Sequence, residues 1–119
     1  MNDIIKIATE WYWGTSVFLT TADGHAIIQC VFDDRGKDIC ELYDLNVHQN
    51  YRRQGHATRL MQAAEDEAKA RGCKRILLWA EKDTWREDWY RRLGYDDEEF
   101  RRPPHESTKW MEKFINQDK

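Results

Sequence analysis

Leu45-Asn46-Val47-His48-Gln49-Asn50-Tyr51-Arg52-Arg53-Gln54-Gly55-His56-Ala57-Thr58-Arg59-Leu60-Met61 runs from an extended segment, through a short loop, into a helix. Upstream, the two-residue period over Ile39 to Val47 places Ile39, Tyr43, Leu45 and Val47 on one strand face, together with Glu41. Downstream, Ala57, Leu60, Met61, Ala64 and Ala68 follow helical spacing as far as Arg71, and Gly72 suits the left-handed residue that ends a helix. A loop between strand end and helix start presents unpaired N–H groups and the positive end of the helix dipole, which favour an anion. Gly55 removes a side chain from that approach, Ala57 is nearly as small, and Arg52 and Arg53 add positive charge. A pyrophosphate ligand accounts for all four choices. An ordinary tight connection with solvated arginines would account for a lone glycine.

Beyond the helix, Ile76-Leu77-Leu78-Trp79-Ala80 is a continuous apolar run of strand length, the pattern of a strand covered on both faces. Strand, helix and strand in succession predict a parallel pair. Before it, Val17 to Thr21 and His25 to Phe32 flank the turn Ala22-Asp23-Gly24 and predict a hairpin, and a second turn over Asp33 to Asp38 leads into Ile39. Asn2 to Thr15 suits one strand or a short hairpin. After it, Thr84 and Glu87 form a capping-box pattern ahead of Trp85, Trp89 and Leu93, with Gly94 closing a short helix. Tyr95 to Phe100 begins another strand, Arg101 to Glu106 with Pro103-Pro104 forms a loop, and Thr108 to Ile115 returns antiparallel. The expected class is α/β of the α+β kind, in one domain over residues 1–119: a mixed, mostly antiparallel sheet with a βαβ parallel pair and two main helices.

Two motifs carry a family resemblance. Arg52-x-x-Gly55-x-Ala57 resembles the Gln/Arg-x-x-Gly-x-Gly/Ala signature of the GNAT superfamily of N-acetyltransferases, and Tyr90-Arg91-Arg92-Leu93-Gly94-Tyr95 resembles its second signature. They cover about Ile39 to Tyr95. The resemblance implies an acyl-CoA N-acyltransferase fold whose two parallel strands splay apart around acetyl-CoA, the acyl donor. It further implies that backbone groups near Leu45 and Val47 bond the pantetheine amides. The N–H groups of Arg53, Gln54, Gly55, His56, Ala57 and Thr58 would cradle the pyrophosphate beside Arg52. His56, at a variable position of the motif, is expected to face solvent within reach of a phosphate. Asp83 stands where many members have an Asn that contacts the cofactor arm, and Arg86 replaces a small residue. Members commonly carry two helices between their first two strands; residues 1–16 have room for a strand and little else, so the form is minimal. Its acceptor site is open, or is covered by Trp11 and Trp13 or by a partner subunit.

Acetyl transfer to a primary amine by direct attack needs a neutral nucleophile, and a lysine-type amine titrates near ~10.4, so a general base helps. Glu41, among apolar neighbours and matching the base glutamate of some members, is the candidate; the alternative is a strand glutamate that faces water or pairs with an arginine. Asp44 falls on the opposite face unless a bulge shifts the alternation. Tyr90 is the candidate acid for the departing thiolate, with core packing as the alternative.

Composition narrows the rest. Six tryptophans exclude a disordered chain, and no apolar run approaches the ~20 residues of a membrane helix, which leads to an expected cytoplasmic location without membrane partners. The net charge of −3 with both signs interspersed disfavours a nucleic-acid binder. Cys30, Cys40 and Cys73 lack metal-ligand spacing and read as reduced, half-buried thiols, and the histidines His25, His48, His56 and His105 are scattered, so no metal is expected. The acceptor is then a small-molecule or protein amine, and Asp96-Asp97-Glu98-Glu99 would favour a cationic one. The aromatics leave room for a homodimer surface. A non-catalytic acyl-CoA-binding module is the competing function; it would keep the loop and tolerate loss of Glu41 and Tyr90.

Overall fold

The computed structural model describes residues 4–34, 36 and 38–115. Positions 35 and 37 of the expected Asp33 to Asp38 turn, and residues 2 and 3 of the N-terminal segment, lie outside the described residues. Seven strands, β1 (Ile4–Trp11), β2 (Gly14–Thr21), β3 (Ala26–Phe32), β4 (Ile39–Val47), β5 (Arg75–Glu81), β6 (Asp96–Glu98) and β7 (Thr108–Phe114), form one sheet in the order β1-β2-β3-β4-β5-β7-β6. Two helices cross it, α1 (His56–Ala70) between β4 and β5, and α2 (Trp85–Arg92) between β5 and β6. No described helix is long and apolar enough to cross a membrane.

The N-terminal segment is the first arm of a hairpin. β1 pairs antiparallel with β2 from Ile4↔Thr21 to Trp11↔Gly14, across Tyr12 and Trp13, so no helix separates the first two strands. Gly14 is needed where β2 passes the end of β3: a Cβ there would lie 2.2 Å from the Phe32 carbonyl oxygen.

α1 is a helix because its apolar positions recur at helical spacing and bury Leu60, Met61, Ala64 and Ala68 against the sheet. They join Val17, Ile28, Cys30, Cys40, Leu42, Ile76, Leu78, Tyr95 and Met111 in the main core. The three cysteines are free and fully buried rather than half-buried. Burial is the largest cause lifting the Cys73 thiol to about 11, and contact with Cys30 together with burial lifts that of Cys40. None is a ready nucleophile.

β4 and β5 are the parallel pair, and they pair only over Ile39↔Arg75, Cys40↔Ile76 and Glu41↔Leu77. Past Glu41 the two strands separate. In the same stretch β4 carries a bulge: Gln29↔Tyr43 is followed by Ile27↔Asn46, so Ile28 opposes both Asp44 and Leu45, and Asp44 adopts φ +57°. The extra residue inverts the alternation. Leu45 and Val47 therefore pack on the main core with Leu42, while Ile39 belongs to a smaller cluster with Leu77 and Trp110 on the other face. The expectation that Ile39, Tyr43, Leu45 and Val47 share a face is corrected by this one residue.

The expected capping box is corrected as well. Thr84 is the N-cap of α2 but makes no cap with its side chain; its hydroxyl donates to the Glu81 carbonyl, 2.8 Å. Glu87 Oε1 accepts from the Asp83 N–H, 2.8 Å, one residue earlier than the motif predicts. Asp83, at φ +60°, turns the chain so that this N–H points back at the helix.

Candidate active site

The strand separation opens a cleft of about 690 Å³ whose floor is the end of β4 and whose far end is the start of α1. Leu45, Asn46 and Val47 line it from β4, Tyr51 to Arg53 and Gly55 to Thr58 from the loop and helix start, and Trp85, Arg86 and Trp89 from α2. Arg52 fixes the loop to the strand, its Nε donating to the Val47 carbonyl at 3.0 Å. Arg53 at φ +65° and Gly55 at φ +84° turn the chain sharply into the helix. Gly55 is the N-cap and no side chain caps α1, so the first N–H groups of the helix end at the cleft. A Cβ on Gly55 would meet nothing closer than Arg59 Nη1 at 3.5 Å, so conformation, more than crowding, requires glycine there.

Arg59 lies beneath this turn. Its Nη1 donates weakly to the Gln54 carbonyl at 3.5 Å, while its Nε and Nη2 are buried without a hydrogen-bond partner among the described residues. Two guanidinium nitrogens left unpaired beside the uncapped helix N–H groups add to the positive charge at this end of the cleft, which an anion would balance, although Arg59 itself does not line the cleft. The residues present therefore fit a pyrophosphate, which would be held by the amides from Gly55 to Thr58 with Arg52 and Arg53 at the rim.

His56 departs from expectation. It is 5% exposed, not solvent-facing, and its Nε2 lies 3.4 Å from Asp23 Oδ2. Gln54 and Asp83 are not among the lining residues of the cleft, whereas Leu45, Val47, Arg52, Arg53, Gly55, His56, Ala57 and Thr58 are.

A second cleft of about 310 Å³ continues between the strands, lined by Leu42 to Leu45, Trp79 to Glu81, Arg86 and Tyr90. It shares Leu45 and Arg86 with the first, so a long ligand can run from one into the other. Tyr90 is 6% exposed, its ring 5.3 Å from that of Trp89 and 6.0 Å from that of Tyr95. Burial raises the pKa of its phenol, against a smaller opposing pull from the Arg86 guanidinium. The smaller cleft is thus lined by a phenol that burial keeps protonated.

Glu41, 1% exposed, lines neither cleft. It sits at the last paired position before the strands separate, and its Oε1 accepts from the Tyr43 hydroxyl at 3.0 Å. Tyr43 does line the smaller cleft. The carboxylate is connected to the site through that hydroxyl.

Asn46, Tyr51, Trp85 and Trp89 also line the cleft, and no sequence motif marks them as lining residues. Trp89 belongs to an apolar stripe that reads as core, and only the 68% exposure of Trp85, invisible in sequence, marks it as a rim residue.

Searching the curated proteins found no sequence match. Solved structures match the fold. A Klebsiella pneumoniae protein assigned as an acyl-CoA N-acyltransferase superposes with a TM-score of 0.76 at 16% identity, over 98% of this chain and 99% of its own. The ribosomal-protein-S18-alanine N-acetyltransferase of Escherichia coli gives 0.73 at 18%, over 100% and 97%. PaiA N-acetyltransferase of Thermoplasma acidophilum, solved in complex with coenzyme A, gives 0.70 at 21%, over 83% of this chain and 60% of its own. The sequence profile of the Acetyltransferase (GNAT) family matches residues 4–95, which takes in the first strand, the loop between β4 and α1, and the Tyr90 motif. This chain belongs to the GNAT family of acetyltransferases.

Proposed function

We propose that the chain transfers an acetyl group from acetyl-CoA to a primary amine by direct attack, with Tyr90 as acid and Glu41 as terminal proton acceptor. The observation that carries this reading is the continuity of the two clefts, from the uncapped helix amides with Arg52 and Arg53 in the larger to the Tyr90 phenol in the smaller. Acetyl-CoA supplies an activated thioester carbonyl. The β4 edge beyond Glu41, which β5 leaves unpaired, offers backbone groups to hold the pantetheine amides and to polarise that carbonyl. As the amine nitrogen bonds to the carbonyl carbon, the C–S bond breaks with its electron pair on sulfur, and the thiolate takes the proton of Tyr90. The amine proton passes to the Tyr43 oxygen while Tyr43 gives its own proton to Glu41. Holding both reactants in one cleft supplies much of the remaining acceleration.

The site of Glu41 off the cleft favours a second reading, an acyl-CoA-binding module without turnover. A panel of small amines and lysine peptides with acetyl-CoA, read by thiol release, separates the two. Turnover that falls about 10²-fold in Tyr90→Phe with unchanged cofactor affinity supports the enzyme. Cofactor binding with no thiol release from any acceptor supports the module. The acidic run gives little preference for a cationic acceptor, because Asp97 is held by Arg91 at 2.7 Å and Lys109 at 3.3 Å, and Glu98 is buried beneath Arg75 and Arg101.

A further inference from the structure

Asp23 and His25, on the turn between β2 and β3, and His56, at the first position of α1, are far apart in sequence and meet beside the phosphate loop. We propose that they form a three-ligand site for a divalent transition-metal ion of the zinc class, bound through Asp23 Oδ2, His25 Nδ1 and His56 Nε2.

The distances support coordination over an ordinary ion pair. Asp23 Oδ2 lies 3.4 Å from each imidazole nitrogen, and the three ligand atoms lie within 4.8 Å of one another. Charge-assisted N–H···O bonds run near ~2.8 Å, so both contacts are long for hydrogen bonds. They match the edge of a tetrahedron with bonds of ~2.0–2.1 Å, which is about 3.3 Å. His25 Nδ1 is buried and makes no hydrogen bond among the described residues despite facing the carboxylate. A buried nitrogen left in that state is explained when an ion, not a proton, joins it to Asp23.

The surroundings hold the ligands in place. Asp23 Oδ1 is fully engaged, accepting from the Thr21 hydroxyl at 2.6 Å and from the His25 N–H at 3.0 Å, which leaves Oδ2 aimed at the imidazoles. The His25 ring stacks on Tyr51 at 3.4 Å between centroids and 11° between planes, so its orientation is fixed by the loop itself. Imidazole and carboxylate ligands suit zinc, and three protein ligands leave a fourth position for water. Asp23, with its side chain 34% exposed, opens the site to entry from solvent. An ion there joins the β2–β3 turn to the start of α1 and stiffens the loop from below, a structural role independent of turnover.

The test uses the whole chain stripped with chelator, and zinc chloride alone. Calorimetry is expected to show one saturable site, accompanied by a rise in Tm. Affinity should fall at least tenfold in His25→Ala and in Asp23→Ala, and stay unchanged in His105→Ala, which removes an exposed histidine elsewhere. Because the ligand variants also alter the turn, cobalt(II) is titrated into the wild type in parallel. A visible absorption of tetrahedral intensity without a sulfur charge-transfer band supports the assignment. Absence of a stoichiometric site, equal affinity in His25→Ala, or a sulfur band placing the ion on the buried cysteines overturns it.

Discussion

Gly55 is set apart by its backbone conformation and Tyr90 by its burial in the core that α1 covers. Gly55 holds φ +84°, where any other residue is strained by about 1–2 kcal/mol, and an acidic side chain there also repels phosphate. Arg59 was legible only as a helix residue. Its spacing from Gly55 says nothing about its buried, unpartnered nitrogens, which come from the way the loop folds over it. Arg59→Met is expected to weaken acetyl-CoA binding about tenfold while leaving Tm unchanged or higher, since it removes positive charge beside the loop along with two buried, unpaired guanidinium nitrogens. Equilibrium titration beside a melting curve checks both halves. His56 illustrates the opposite limit: the motif marks its position as variable, and only the spatial approach of Asp23 explains why it is buried.

Elements were read from periodicity, and periodicity fails where a strand inserts one residue. The βαβ unit was legible because Ile76 to Ala80 and the Leu60, Met61, Ala64 stripe repeat cleanly. The bulge at Asp44 was legible only as an alternative to plain alternation, since nothing in Tyr43-Asp44-Leu45 departs from the two-residue period until β3 is laid beside it. The N-cap region of α2 shows the same limit, because Thr84 and Glu87 have the right spacing yet Glu87 bonds Asp83. Glu87 also meets Lys109 at 2.9 Å and Arg91, and with Lys109 first these partners lower its carboxyl to about 2. A carboxylate depressed in the folded state contributes stability in full above its unfolded value of about 4.3, and loses it as pH falls through about 2. Glu87→Gln should therefore lower stability at pH 7 by on the order of 1 kcal/mol, after allowance for the partly exposed partners. Its difference from wild type should vanish near pH 2, as denaturant titrations at the two pH values would show.

At the scale of the molecule, one sheet is held together on one side of its split by hairpins and on the other by β5, β7 and β6, with α1 spanning both. That arrangement lets the strands part without losing the core. Behind the clefts, Glu65 on α1 accepts from the Tyr95 hydroxyl at 3.1 Å and from Lys113 Nζ at 3.0 Å, tying the helix to the far half of the sheet. The network, assembled from three distant segments, has no signature in sequence. Leu60, 0% exposed on α1, packs in the main core to which both halves contribute. Leu60→Ala is expected to cost about 2–5 kcal/mol, read as a drop in denaturation midpoint, with cofactor binding weakened through loss of the folded state.

The proposed acetyl-CoA site is built from the split sheet and the uncapped helix. Calorimetric titration of the wild type with acetyl-CoA, beside Gly55→Glu with its folding verified by circular dichroism, tests that most directly. Saturable binding of one molecule per chain, lost in the folded variant, is the predicted result. Absence of wild-type binding, or binding that Gly55→Glu leaves unchanged, would contradict it.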